Sequence, residues 1–173
     1  RIIGDPYKYS KKYYEEGADQ IIVMDIVASL YSRDNLFSTI DKLTKDIFIP
    51  ITVGGGVKAI EDIKKLLSVG ADRISINSHL FENPNLIEEV LNIFGSQFLT
   101  IVIEAKKIGN EYYCMKNHGR DNSGITVEKW IKYLKNKKFG ELAIFSVDKD
   151  GMNNGPDEKL LEIVHKEKIL VPL

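Results

Sequence analysis

The stretch Ile49-Pro50-Ile51-Thr52-Val53-Gly54-Gly55-Gly56 decides how this chain is read. It opens as a short apolar run, the pattern of a strand buried on both faces, and ends abruptly in glycine. Further on, Gly70-Ala71-Asp72-Arg73 leads into a second such run, Ile74-Ser75-Ile76-Asn77. Between them Ile60, Ile63, Leu66 and Leu67 recur at helical spacing, and Gly70 can supply the left-handed residue that ends a helix. Strand, turn, helix, strand is one βαβ unit.

The same unit repeats outward in both directions. Upstream, Asp5 can cap and Pro6 suits the first turn of a helix over Tyr7–Glu16, which stops at Gly17. The run Ile21–Ile26 predicts a strand, and Leu36, Ile40, Leu43 and Ile47 mark a helix over about Leu36–Asp46. Downstream come a helix over Asn85–Phe94, a strand over Phe98–Ala105 and a short ribbon or loop at Tyr112–Met115. A helix over Val127–Lys135 follows, then a strand over Glu141–Val147, a polar loop through Gly155 and a helix near Asp157–Glu167. The final apolar run, Ile169–Leu173, has the look of a strand cut short. Repetition of this kind predicts an α/β fold with a parallel sheet and helices packed outside it, as a single domain over residues 1–173.

Composition narrows the function classes. The 173 residues carry 24 basic and 25 acidic side chains, so net charge gives no reason to expect nucleic acid or an anionic membrane as partner. A lone cysteine, Cys114, excludes an internal disulfide framework and a cysteine-based zinc cage. His79, His118 and His165 share no metal-ligand spacing and read as surface or cap residues, so neither metal nor cofactor is expected. No apolar run approaches the roughly 18 residues of a membrane span, and no signal-peptide pattern opens the chain. A soluble, cytoplasmic protein is the expectation. Repeating at roughly 30 residues per unit, the chain holds about five to six units, whereas a closed eight-fold barrel needs about 250 residues. It is either a small open sheet or part of something larger.

Parallel α/β folds bind ligands at the carboxyl ends of their strands. Those ends carry Asp25, then Gly54-Gly55-Gly56, then Asn77-Ser78, then Glu104, then Ser146 with Asp148, Asp150 and Gly151. Glycines after a strand let backbone N–H groups approach an anion closely, as phosphate sites require; equally, they serve a tight turn at positive φ. Asn77-Ser78 offers amide and hydroxyl donors, or a helix cap. A carboxylate at Glu104, partly desolvated, can act as general acid or base, and the alternative is a salt bridge to Lys106 or Lys107. Asp148-Lys149-Asp150-Gly151 can bind substrate hydroxyls but is also ordinary turn composition.

Taken in order, these residues resemble the HisF family, the cyclase subunit of imidazole glycerol phosphate synthase. The resemblance rests on Gly4-Asp5-Pro6, Ala18-Asp19 through Met24-Asp25-Ile26, Val53-Gly-Gly-Gly-Val57 and Gly70-Ala-Asp-Arg-Ile-Ser-Ile-Asn-Ser78. It continues through Glu82-Asn83-Pro84, Phe94-Gly-Ser-Gln97, Gly119-Arg120, Thr126 near Trp130, and Ser146-Val-Asp-Lys-Asp-Gly151. It implies a (βα)8 TIM barrel of the HisA/HisF type, present as an incomplete fragment from about strand 2 to the start of strand 7. It also implies a glutaminase partner, docked on the amino-terminal face, that delivers ammonia through the barrel. The ammonia then reacts with a phosphorylated ribulosyl-formimino nucleotide, giving imidazole glycerol phosphate and an aminoimidazole carboxamide ribotide. By the same resemblance one substrate phosphate lies near Gly55, Gly56, Asn77 and Ser78, with Asp25, Asp150 and Gly151 around the substrate. Arg73 and Glu141 match the charged ring at the ammonia entrance, and Asp72 an acidic residue facing the glutaminase.

Three departures stand out. The family's acid–base pair is two aspartates, on strands 1 and 5; the strand-1 position precedes Arg1, and the strand-5 position holds Glu104, one methylene longer. Phe145 replaces a small hydroxyl residue at or near the substrate pocket, and Gln20 replaces a glutamate at the ammonia entrance. These resemble a branch thought to channel ammonia for sugar amidination in surface-polysaccharide biosynthesis. A third reading is a non-catalytic scaffold that activates the glutaminase.

Overall fold

The computed structural model describes residues 4–25 and 34–173. Two compact units divide the chain, one reaching to Ser75 and the other running from Ile76 to Leu173.

In the first unit, helix α1 (Pro6–Glu15) starts where Asp5 accepts a hydrogen bond from the Tyr7 N–H, with Pro6 in the first turn. Strand β1 (Ile21–Met24), helix α2 (Asp34–Asp46), strand β2 (Ile51–Gly54), helix α3 (Ile60–Ser68) and strand β3 (Arg73–Ile76) follow. Ile26, expected in the first strand, lies outside the described residues. Strands β1, β2 and β3 run parallel, pairing Ile21 with Ile51 and Val53 with Ile74. Ile40 and Leu43 of α2, Ile63 and Leu66 of α3, and Ile51, Val53 and Ile74 of the sheet are fully buried. Each such side chain contributes about 1.5–3 kcal/mol, so this apolar face is what holds the unit together.

The second unit begins with a short 3-10 turn (Ser78–Phe81), helix α4 (Leu86–Phe94) and strand β4 (Leu99–Ile108). Strand β5 (Glu111–Lys116) and strand β6 (Asp121–Thr126) then form antiparallel pairs, β5 with β4 and β6 with β5. Helix α5 (Val127–Leu134), strand β7 (Glu141–Ser146) and helix α6 (Glu158–Lys166) complete it, with β7 parallel to β4.

The antiparallel pairs are absent from the sequence reading, which sees only a ribbon or loop at Tyr112–Met115. Strand β4 also runs past Ala105 to Ile108, because Lys107 and Ile108 pair with Tyr112 and Glu111 across the hairpin. The expected strand at Ile169–Leu173 does not form; the Leu142 N–H donates to the Pro172 carbonyl at 2.9 Å, and Pro172 has no N–H to continue a ladder.

Candidate active site

Strand alternation sorts the second unit's residues into two faces. Glu104 of β4 is in register with Phe145 of β7, Val102 with Ala143 and Thr100 with Glu141, so these six share one face. Ala105 is in register with Ser146 on the other face. That second face is the α6 side: the Ser146 hydroxyl donates to Asp157 at 2.8 Å, and Asp157 caps α6 by accepting from the Leu160 N–H. The buried Tyr112 hydroxyl donates to Asp157 as well, at 2.8 Å. These bonds hold the Asp157 carboxyl below its ordinary range against the opposing pull of its desolvation, and the neighbouring carboxylate pushes Tyr112, already raised by burial, up to about 12.

Glu104 stands at the carboxyl end of its face with its side chain 14% exposed. It does not pair with Lys106 or Lys107. Instead the turn between β5 and β6 folds back over it: the Gly119 N–H donates to Oε2 at 3.0 Å, and His118 Nδ1 lies 3.6 Å from Oε1. Desolvation raises the Glu104 pKa, while the Gly119 N–H, the charge of His118 and the Asn77 amide each pull it back down. A carboxyl so placed keeps a defined orientation and is moved toward the pH range where it exchanges protons usefully.

Asn77 and Ser78 belong to the same cluster, and neither side chain caps the 3-10 turn that follows. Asn77 Nδ2 donates to the Met115 carbonyl at 3.2 Å, and Ser78 Oγ accepts from the Asn117 N–H at 2.9 Å. Asn77 Oδ1 is buried with no hydrogen-bond partner. Ser78 still has its own proton to donate.

The remaining expected residues of this unit are dispersed. Ser146 faces α6, away from Glu104. Asp148 is exposed and accepts from the Lys107 N–H at 2.8 Å. It borders a cavity of about 820 Å³ that Lys107, Tyr112, Lys149, Asp157 and Lys159 also line. Asp150 and Gly151 are exposed in the turn after β7, where the Asp150 N–H donates to the Ser146 carbonyl. At the amino end of Glu104's face, Glu141 accepts from the Thr100 hydroxyl at 3.2 Å.

In the first unit, Met24, Gly54 and Ser75 form one row of the sheet and Ile22, Thr52 and Arg73 the row below it. Arg73 donates to the Gln20 side chain at 3.1 Å at the amino end of this sheet. Asp72 accepts from the Ile51 N–H at 2.8 Å and so pins the start of β2. Above the sheet, each glycine of the triplet has its own reason. A Cβ on Gly54 would stand 1.9 Å from Ser75 Oγ, and one on Gly55 2.2 Å from the Asp25 carbonyl oxygen. Gly55 and Gly56 also have φ of 112° and 59°. Asp25 is half-buried, and its N–H donates to the Gly54 carbonyl at 2.9 Å.

The histidine biosynthesis protein family matches residues 1–171. Over 165 residues the chain is 39% identical to the imidazole glycerol phosphate synthase subunit HisF of Legionella pneumophila, covering 95% of this chain and 78% of that protein. The chain belongs to the HisF family. The subunit of the same name from Natranaerobius thermophilus is 40% identical over 95% of this chain and 65% of its own length. That of Sulfolobus acidocaldarius is 37% identical over 94% and 66%. The chain therefore spans about two thirds of the length of these two HisF relatives.

Two residues of this unit escape the sequence reading. His118, read there as a surface or cap residue, is partly covered with its side chain 27% exposed and sits against Glu104. Asp157 was legible only as a helix start, whereas it gathers Tyr112, Ser146 and the α6 terminus. Among the described residues, no group of three or more His, Cys, Asp or Glu side chains is placed to hold a metal ion. Cys114 is fully buried on β5, and burial pushes its thiol up to about 12, far from nucleophilic use.

Proposed function

We propose that this chain acts as the cyclase-type subunit of imidazole glycerol phosphate synthase, within a (βα)8 barrel of which it forms the greater part. The observation that carries the reading is Glu104, a mostly buried carboxyl at the carboxyl end of the parallel β4–β7 pairing, held by the Gly119 N–H with the His118 imidazole beside it. In this role it is the general acid or base that moves protons as ammonia adds to the ribulosyl-formimino nucleotide and the imidazole ring closes. In the family the partner carboxylate is an aspartate of the barrel's first strand.

The substrate phosphate is bound by the N–H groups after β2, at Gly55 and Gly56, and by Asn77 and Ser78. Asp25, Asp150 and Gly151 surround the substrate. Ammonia comes from a glutaminase subunit docked at the amino ends of the strands, in a cytoplasmic heterodimer. Gln20, Arg73 and Glu141 form its entrance and Asp72 faces the partner. On the sheet face of Glu104, Val102 and Ala143 lie between Glu141 and the acid–base carboxyl, and both are apolar. An apolar stretch between polar ends favours passage of neutral ammonia over ammonium, whose charge is costly to desolvate.

The test is turnover of the ribulosyl nucleotide by the full-length protein under saturating ammonium. Measurable formation of imidazole glycerol phosphate is expected, and its absence rejects the reading. A second reading, ammonia supply for sugar amidination, is favoured by Phe145. It is 41% exposed and in register beside Glu104, so an aromatic ring borders the reacting end of the face. Failure to complement a histidine auxotroph, beside genes for polysaccharide sugars, decides for that alternative.

A further inference from the structure

The backbone that closes over Glu104 is disfavoured for most residues. Asn117, His118 and Gly119 have φ of 52°, 59° and 75° in succession. They make a left-handed turn that the Arg120 N–H closes by donating to the Lys116 carbonyl at 3.1 Å. Only one of the three is glycine, and backbone of this kind gathers at functional sites when the surroundings over-determine it. Here they do. Ser78 holds the Asn117 N–H, Asn77 holds the Met115 carbonyl, and the Asn117 side chain donates to Asp121 at 2.6 Å.

The result is that the turn reaches both oxygens of Glu104, the Gly119 N–H donating to Oε2 and the imidazole standing 3.6 Å from Oε1, with the His118 N–H and the Asn77 amide also acting on the carboxyl. A glycine at position 118 would relieve the backbone and leave every anchor in place. What it would remove is the imidazole.

We propose that His118 is the positioning residue of Glu104, fixing Oε1 and, when protonated, stabilising the carboxylate form that Glu104 brings to proton transfer. This rests on the reading of Glu104 as the acid–base group. Other charged groups near this end include Lys116 and Glu82, paired with each other at 3.8 Å, His79, 3.4 Å from Glu82, and on the turn itself Arg120 and Asp121, which accepts from Asn117. The further contacts of the Glu104 carboxyl, with the Gly119 and His118 N–H groups and the Asn77 amide, are neutral, and its register neighbour Phe145 is uncharged.

The experiment uses the full-length protein with 13C-labelled glutamate and the variants His118→Gly and His118→Asn, both residues suited to positive φ. In both, the Glu104 carboxyl titration moves upward. In His118→Gly the thermal midpoint is unchanged or higher, which a merely structural role for the imidazole would not give. With ammonium as nitrogen donor, kcat falls on the order of tenfold in both, the loss of one charge-assisted contact, while KM for the nucleotide holds. An unmoved Glu104 titration in folded His118→Gly overturns the proposal, as does an unchanged kcat in a parent protein that turns over. If the parent protein shows no turnover, the cyclase reading falls, and the titration still decides the pairing of His118 with Glu104.

Discussion

Among the turns that carry the backbone through positive φ beside a candidate binding residue, two use different chemistry to do it. After β2, Gly54-Gly55-Gly56 turns with no side chain at all, because Ser75 and the Asp25 carbonyl leave no room for one. Between β5 and β6, Asn117-His118-Gly119 turns with two side chains kept, and both have partners: Asp121 for Asn117 and Glu104 for His118. The first arrangement brings backbone close to its neighbours with no side chain between, which is what an anion site of the proposed kind needs. The second delivers side chains and suits proton chemistry.

Breaking the glycine turn has the largest expected effect. Gly55→Ala places a methyl group against fixed backbone at a φ that only glycine adopts readily, and a loss of about 4 kcal/mol or more is expected from urea unfolding. Gly151 provides the control: its φ is 71°, yet nothing lies within 4 Å of an added Cβ. Gly151→Ala should therefore cost only the conformational penalty, about 1–2 kcal/mol. A similar loss at both positions would mean that the close approach at Asp25 does not matter.

Next in size is the carboxylate on the α6 side of the second unit's strands. Asp157→Ala removes the α6 cap and strands the Tyr112 hydroxyl, for an expected loss of about 2 kcal/mol in denaturant unfolding. Ser146→Ala removes one of those bonds and should cost about 1 kcal/mol. Because Ser146 faces α6, its variant should turn over like the parent; a fall in kcat would bring Ser146 back to the substrate.

The smallest effects separate the two carboxyls by sign. Burial raises the Glu104 pKa above the ordinary 4.5, so the stability its neutral form contributes is full below that pH and is lost as pH rises through the raised value. Asp157 is depressed below 3.8, so its contribution is present above that pH and is lost as pH falls through the lowered value. Thermal midpoints across pH 3–7, as a range of about four units, should show Glu104→Gln gaining on the parent toward neutrality. Asp157→Asn should instead draw level with the parent toward acid pH. The same trend in both variants would contradict these opposite environments.

The contrast also accounts for what was legible in the sequence. Strands such as Ile51–Gly54 and helices such as Ile60–Ser68 announce themselves through apolar periodicity and glycine stops, and they form within a residue or two of expectation. The glycine triplet was legible too, since three successive glycines after a strand suit a tight turn or an anion site and little else. Strand β6 was not: Asp121-Asn-Ser-Gly-Ile-Thr126 has turn composition and extends only because β5 lies beside it. With β6 unseen, the turn it forms with β5 was unseen, and so was His118 above Glu104. Ser146 was assigned by its place at a strand end, whereas the face is set by register, which local sequence does not contain.

Everything in the second unit's site turns on whether Glu104 moves protons. The direct measurement is ammonia-dependent turnover of the ribulosyl-formimino nucleotide by full-length Glu104→Gln protein beside the parent, with unfolding midpoints taken at the same pH. The predicted result is a loss of kcat on the order of 10²-fold or more with a midpoint no lower than the parent's. Turnover equal to the parent's in the folded variant would contradict it, and would leave a scaffold that activates its glutaminase.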